Sequence, residues 1–208
     1  AAARAGRDGC AVRLVAVTKS VGPEEIRALW QSGVRDMAEN RVERGPVVVP
    51  GAPASITWRL IGPLQQRKTT EALQWFHAFD AIDRITVAET LQRRCDDQNR
   101  TVPVLLEVNV SGEASKHGFT PTELDSALRR VRMLDRLQVD GLMTMAPWGA
   151  EETVLRKVFR TLRQIADACG LREVSMGMSD DFEIAVEEGS TMVRIGRALF
   201  ERPRPDTP

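Results

Sequence analysis

Lys19 closes an apolar, β-branched run, Leu14-Val15-Ala16-Val17-Thr18. A primary amine at the end of a strand can attack an aldehyde once its proton is gone, which desolvation or a neighbouring cation promotes. The alternative is a plain surface lysine. A second segment, Val174-Ser175-Met176-Gly177-Met178-Ser179-Asp180-Asp181, leads from a strand into a helix that should start near Asp180. Backbone N–H groups at such a start, with the Ser179 hydroxyl, suit a phosphate. Alternatively, Ser179 merely caps that helix, with Asp180 and Asp181 favourable in its first turn. Two carboxylates so close would repel an anion unless they face away. A third segment, Thr191-Met192-Val193-Arg194-Ile195-Gly196, reads as a strand and a turn. Gly196 would let the backbone come close to a bound group. Arg194 points inward if Val193 and Ile195 face outward, either toward a ligand or into an interior ion pair with Glu39 or Glu107.

Other chemistry-bearing residues give weaker signals. Gly62-Pro63-Leu64-Gln65-Gln66-Arg67-Lys68 could border a binding mouth, or Arg67 and Lys68 could be solvated helix residues. His117, in Ser115-Lys116-His117-Gly118, reads as an exposed loop histidine, and His77 as structural. There is no GxGxxG or Walker sequence, and two histidines offer little basis for a metal site. Cys10, Cys95 and Cys169 form no CxxC or Cys/His cluster, so they are expected as small buried residues rather than a disulfide scaffold.

The elements that must carry these groups alternate along the chain. Strands are expected at Val12–Thr18, Val34–Ala38, Thr57–Ile61, Phe76–Ala81, Val102–Val110, Leu137–Met143, Glu173–Met176 and Met192–Ile195. Helices are expected at Pro23–Ser32, Gln66–Gln74, Arg84–Asp97, Pro121–Leu134, Glu151–Ala168 and Asp181–Glu188, with a short one on Arg41–Arg44. In the fifth of the six, Val158, Leu162 and Ile165 recur at three- and four-residue steps, with Arg156, Arg160 and Arg163 elsewhere on the cylinder. The run Val102–Val108 is instead nearly continuously apolar, as in a parallel strand covered on both sides. Gly45–Ser55, with three prolines, reads as a loop, and Arg202–Pro208 as a frayed tail. Eight strands with interleaved helices argue for a single (β/α)8 TIM-type barrel spanning residues 1–208, with a doubly wound open sheet as the competitor.

A barrel places its site at the C-terminal ends of its strands. Those positions hold Lys19, Asn40, Gly62, Asn109, Thr144, Ser179, Arg194 and Gly196, a set rich in functional residue types. The loops after strands seven and eight are the usual phosphate site of this fold.

Taken together, the segments resemble the YggS-type pyridoxal phosphate homeostasis proteins, relatives of the barrel domain of bacterial alanine racemases. The markers are Leu14-Val15-Ala16-Val17-Thr18-Lys19, Ala38-Glu39-Asn40-Arg41, Ile61-Gly62-Pro63-Leu64-Gln65, Ser115-Lys116-His117-Gly118 and Gly141-Leu142-Met143. To these are added the Ser175–Asp181 segment and Ser190–Gly196. The resemblance implies that Lys19 holds pyridoxal 5′-phosphate as a Schiff base, the internal aldimine. It implies that Ser179, Gly196 and the main chain of Arg197 hold the phosphate, that Arg194 approaches the pyridine nitrogen, and that Asn40 lies close to the cofactor. The chain departs from the family where Ala38 replaces a common glycine and Gln66-Arg67 a common Ser-Asn pair, and its N-terminal helix is short.

Composition sets the remaining expectations. The 208 residues are 42% apolar and 28% charged with zero formal charge, so no global field favours nucleic acid or an anionic membrane. No apolar stretch reaches the roughly 20 residues of a bilayer span. The alanine-rich start has no signal-peptide character and reads as the tail of a helix. A cytoplasmic monomer is expected, binding pyridoxal phosphate and serving pyridoxal-phosphate-dependent apoenzymes, a carrier or regulator more than an enzyme. The alternatives are a low-activity amino-acid racemase and a cofactor-free lysine aldolase. Alanine racemases of this fold use a tyrosine from a second domain as their other base; the chain contains no tyrosine and ends soon after strand eight, which argues against two-base racemisation.

Overall fold

A computed structural model describes residues 1–113 and 116–200. Eight parallel strands close into a barrel in simple sequence order, the last pairing with the first. They are β1 (Arg13–Val17), β2 (Asp36–Glu39), β3 (Thr57–Leu60), β4 (Ala78–Ile82), β5 (Val102–Glu107), β6 (Leu137–Met143), β7 (Glu173–Ser175) and β8 (Met192–Ile195). The helices are α1 (Pro23–Gln31), α2 (Gly45–Val48), α3 (Thr69–Trp75), α4 (Ile85–Asp97), α5 (Pro121–Arg132), α6 (Glu152–Ala168), α7 (Phe182–Glu187) and α8 (Arg197–Phe200). Closure excludes the open doubly wound sheet.

Alternation along the strands sorts two cores. Ala16, Met37, Trp58, Leu60, Phe79 and Leu106 face outward and pack with helix residues such as Leu91, Leu128, Phe159 and Leu162. Val15, Ala38, Ala81, Leu105, Met143 and Met192 fill the barrel itself. The interior also holds charge: the buried Arg59 guanidinium grips Asp80 through two bonds of 2.7 and 2.8 Å and reaches Asp36 at 3.1 Å. Burial alone would lower the Arg59 pKa, but Asp80 and Asp36 more than offset it and raise it above the ordinary arginine value. A charge this deep is tolerated because it is paired and hydrogen-bonded.

Several boundaries differ from the sequence expectation for local reasons. The fourth strand begins at Ala78, because Phe76 ends α3 by donating its N–H to Ala72 O at 2.9 Å. The fifth stops at Glu107: Val108 still donates to Met143 O, but Asn109 turns away to donate to Phe119 O. Within Gly45–Ser55, Gly45–Val48 is a helical turn rather than loop. Pro46 fits its first turn, where an N–H is not needed, and a Cβ on Gly45 would sit 2.6 Å from the Trp75 side chain. At the N-terminus, Ala3–Ala5 is a 3₁₀ turn held to α7 by Arg4, which pairs with Glu183 at 2.5 Å and Glu187 at 2.7 Å. The expected tail, Arg202–Pro208, lies outside the described residues. Of the three cysteines only Cys95 is buried; Cys169 is half-buried and Cys10 exposed.

Candidate functional site

Lys19 follows β1 in the turn toward α1, and strand register sets its neighbours. Val17 pairs with Ala38 and Thr18 donates its N–H to Ala38 O, which puts Asn40, half-buried, level with Lys19 on the adjoining strand end. On the other side Ala16 pairs with Ile195, so Val17 lies beside Gly196. A Cβ at Gly196 would lie 3.4 Å from Val17 Cβ, in ordinary van der Waals contact, so the β8 turn packs closely on β1. Lys19 itself is exposed. The strand beneath it is apolar, with Val15 and Val17 both buried.

The turns after β7 and β8 meet. Ser179 Oγ accepts a hydrogen bond from the Ala198 N–H at 3.3 Å, and the Arg197 guanidinium pairs with Asp180. Ser179 is therefore not the cap of the helix that follows: α7 starts at Phe182, and the residue at its cap position is Asp181. The Asp181 carboxylate turns back to accept the Met178 N–H at 2.6 Å. Burial pushes the Asp181 carboxyl above the ordinary range, against the Met178 N–H and the Arg194 charge, which favour ionisation. Both carboxylates that threatened an anion here thus have partners of their own. Gly177 permits the bend: its φ is +96°, and a Cβ would lie 2.6 Å from that of Ala185.

Arg194 is 3% exposed and points into the barrel. It donates to Ser175 Oγ at 2.7 Å and to the Thr144 carbonyl at 2.9 Å. The ion pair with Glu39 or Glu107 is not formed. Glu39 bonds Thr18 and faces Arg44, while Glu107, like Asp80 and Asp181, acts on Arg194 only through its field. Burial lowers the Arg194 pKa, yet a guanidinium is not deprotonated in proteins and stays charged. Ser175 sits at an inward position of β7, and Thr144 just past β6. Thr144 is fixed in turn by its hydroxyl on Val108 O at 2.7 Å.

Other sequence candidates fall outside this cluster. Asn109 shapes its own loop, accepting from the Gly112 N–H at 3.0 Å and donating to Glu113 O at 2.9 Å. Arg67 bonds Gln65, and Lys68 pairs with Glu43. Gly62 matters as backbone: a Cβ there would fall on the Asn40 carbonyl, so β2 and β3 can close at this level only with glycine. His77 is structural, its Nδ1 accepting the Trp58 N–H at 2.9 Å. His117 is exposed and 3.4 Å from Asp83, and Ser115 lies outside the described residues. Sequence reasoning passed over Asp83, which is buried at the mouth beside Glu107. Burial, followed by the Asp83 charge, raises the Glu107 pKa. The signal was available in the inward parity of Glu107 along β5. Among the described residues, no group of three or more His, Cys, Asp or Glu could hold a metal ion.

This end of the barrel thus holds the joined turns after β7 and β8, the buried Arg194 guanidinium facing the barrel, and Lys19 on the adjoining β1 turn. The chain matches the family described as alanine racemase, N-terminal domain, over residues 2–203. It is 38% identical over 206 residues to the pyridoxal phosphate homeostasis protein of Pseudomonas aeruginosa, covering 96% of this chain and 88% of that one.

The chain belongs to the pyridoxal phosphate homeostasis protein family.

A second member, from Deinococcus radiodurans, is 40% identical over 201 residues, covering 96% of this chain and 94% of that one. Among solved structures, PipY of Synechococcus elongatus with bound pyridoxal phosphate aligns with a TM-score of 0.85 and 30% identity, over 96% of this chain and 97% of that one. An alanine racemase of Clostridium difficile shares the fold, with a TM-score of 0.77 at 14% identity; the match spans 94% of this chain and 53% of the racemase.

Proposed function

We propose that this chain binds pyridoxal 5′-phosphate covalently through Lys19 and serves to buffer that reactive aldehyde for cytoplasmic apoenzymes. The observation that carries the reading is the convergence on one barrel end of the Ser179–Ala198 contact, the inward Arg194 and the Lys19 turn, joined by the β8–β1 pairing. The relatives' name and the cofactor held by PipY support it. When bound, the cofactor supplies an aldehyde that condenses with an amine, and a pyridine ring that can accept electrons.

The chain's own residues have distinct tasks. Ser179 and the backbone of Gly196 and Arg197 would hold the phosphate. Asn40 borders the cofactor from β2. Lys19 would supply the amine that holds the aldehyde carbon of the cofactor. Arg194 would present a positive charge to the ring nitrogen. A neighbouring guanidinium disfavours protonation there and so weakens the ring as an electron sink. This limits transaminase-like chemistry.

The test is the visible spectrum of the protein with pyridoxal phosphate, before and after borohydride, followed by peptide mass mapping. A reduced label on Lys19 is expected. A label on another lysine, or racemase turnover of about 1–10³ per second, overturns the proposal.

A further inference from the structure

Directly behind the Lys19 turn, on the helix side of the barrel wall, lies a polar brace with no part in the phosphate cradle. Glu39 is fully buried at the end of β2. Its Oε1 accepts the Thr18 hydroxyl at 2.7 Å, one residue before Lys19. Arg44, from the 3₁₀ turn Val42–Arg44, donates to the carbonyls of Thr18 at 3.4 Å and Val21 at 2.9 Å, on either side of Lys19. Arg44 Nε and Glu39 Oε2 face each other at 3.5 Å, and neither has a hydrogen bond. Burial raises the Glu39 carboxyl, opposed by the Thr18 hydroxyl, by Arg44 and by Lys19, the cations that bear on it.

A fully buried carboxylate is costly, and its retention beside one particular turn calls for a task. The turn needs one: Lys19 is exposed, so its own side chain has little packing to fix it, and its reach toward a reacting carbon is set by the backbone beneath. We infer that Glu39, acting through Thr18 and Arg44, is a positioning residue that holds the Lys19 turn at the height from which its amine meets the aldehyde. The inference rests on the Lys19 reading above. A misplacement of about 1 Å can cost a hundredfold in rate, so loosening the brace should slow covalent capture while leaving the phosphate cradle, built on β7 and β8, intact.

The experiment measures two quantities in the full chain: the rate of adduct formation with pyridoxal phosphate, and the affinity for 4′-deoxypyridoxine 5′-phosphate, which carries the phosphate and ring but no aldehyde. Glu39→Ala and Thr18→Val are expected to slow the adduct by about tenfold or more, with analogue affinity within about twofold of the parent. Thr18→Ser, which keeps the hydroxyl, should restore the rate. Should Glu39→Ala fail to fold, the Thr18→Val and Thr18→Ser pair decides. Parent-like capture by Thr18→Val, no recovery in Thr18→Ser, or equal losses of capture and analogue binding would each overturn the inference. A parent protein that takes no label on Lys19 refutes the carrier reading and the inference with it. Normal labelling of the parent beside an unaffected Thr18→Val refutes the inference alone.

Discussion

Ser179 Oγ accepts the backbone N–H of Ala198 at 3.3 Å, and this contact ties the turn after β7 to the turn after β8. The same hydroxyl is the side-chain donor expected at a phosphate. Ser179→Ala should weaken pyridoxal phosphate binding by about 10- to 100-fold, the worth of one hydrogen bond to a charged group. Binding of pyridoxal, which lacks the phosphate, should change little. Parallel spectroscopic titrations with the two aldehydes check this, and equal losses for both would contradict it.

Lys19→Ala should abolish the borohydride-trapped adduct without harming the fold. Lys19 is exposed, and substitutions of that kind usually stay within about 0.5 kcal/mol. Urea unfolding of the variant beside mass mapping of the reduced parent tests both halves.

Removing Arg194 should be costly even without ligand. Arg194→Met would leave Ser175 Oγ and the Thr144 carbonyl, both in buried residues, without their donor. A loss of about 2–3 kcal/mol is expected, read as a lower urea midpoint. An unchanged midpoint would mean that the two oxygens find other partners.

The buried Glu107 gives a pH signature. Its native pKa is raised, first by burial and then by Asp83, so folding favours its protonated form. For a raised carboxyl, the stabilising contribution is complete below the unfolded value near 4.5 and is lost as pH climbs through the higher native value. Glu107→Gln removes this dependence. The variant should gain stability relative to the parent as pH rises from 4.5 toward 8, by urea unfolding at several pH values; a gap that narrows with rising pH would reverse the assignment.

Far from the mouth, Thr120 and Glu123 form a reciprocal cap on α5, with the Glu123 N–H on Thr120 Oγ1 at 3.3 Å and the Thr120 N–H on Glu123 at 3.0 Å. Thr120→Ala should cost about 1 kcal/mol of stability and leave cofactor capture unchanged. It serves as the control for variants near the site.

The barrel was legible because its signals are local. The spacing of Val158, Leu162 and Ile165 needs only a helix, and all three face the core, with Val158 and Leu162 buried. Lys19, Asn40, Arg194 and Gly196 were found by asking which residues stand at strand ends. What escaped depends on register between strands. Nothing near Arg59 in the chain announces Asp80, 21 residues on, because only the β3–β4 pairing brings them together. The same holds for Ser179 and Ala198, and here the local signal misled. A serine before two aspartates reads as a cap, whereas Asp181 is drawn back to the Met178 N–H and the helix starts at Phe182, two residues later than a Ser179 cap would place it. The prolines of Gly45–Ser55 hid a helical turn because Pro46 occupies the one helical position that tolerates it.

Arg197 on Asp180 and Ala198 on Ser179 fasten the two turns with the chain's own groups. A recess organised in this way has little disorder to surrender when a small molecule settles into it. Capture should therefore run at similar speed across variants of these turns, and their differences in affinity should surface in how long the occupant stays.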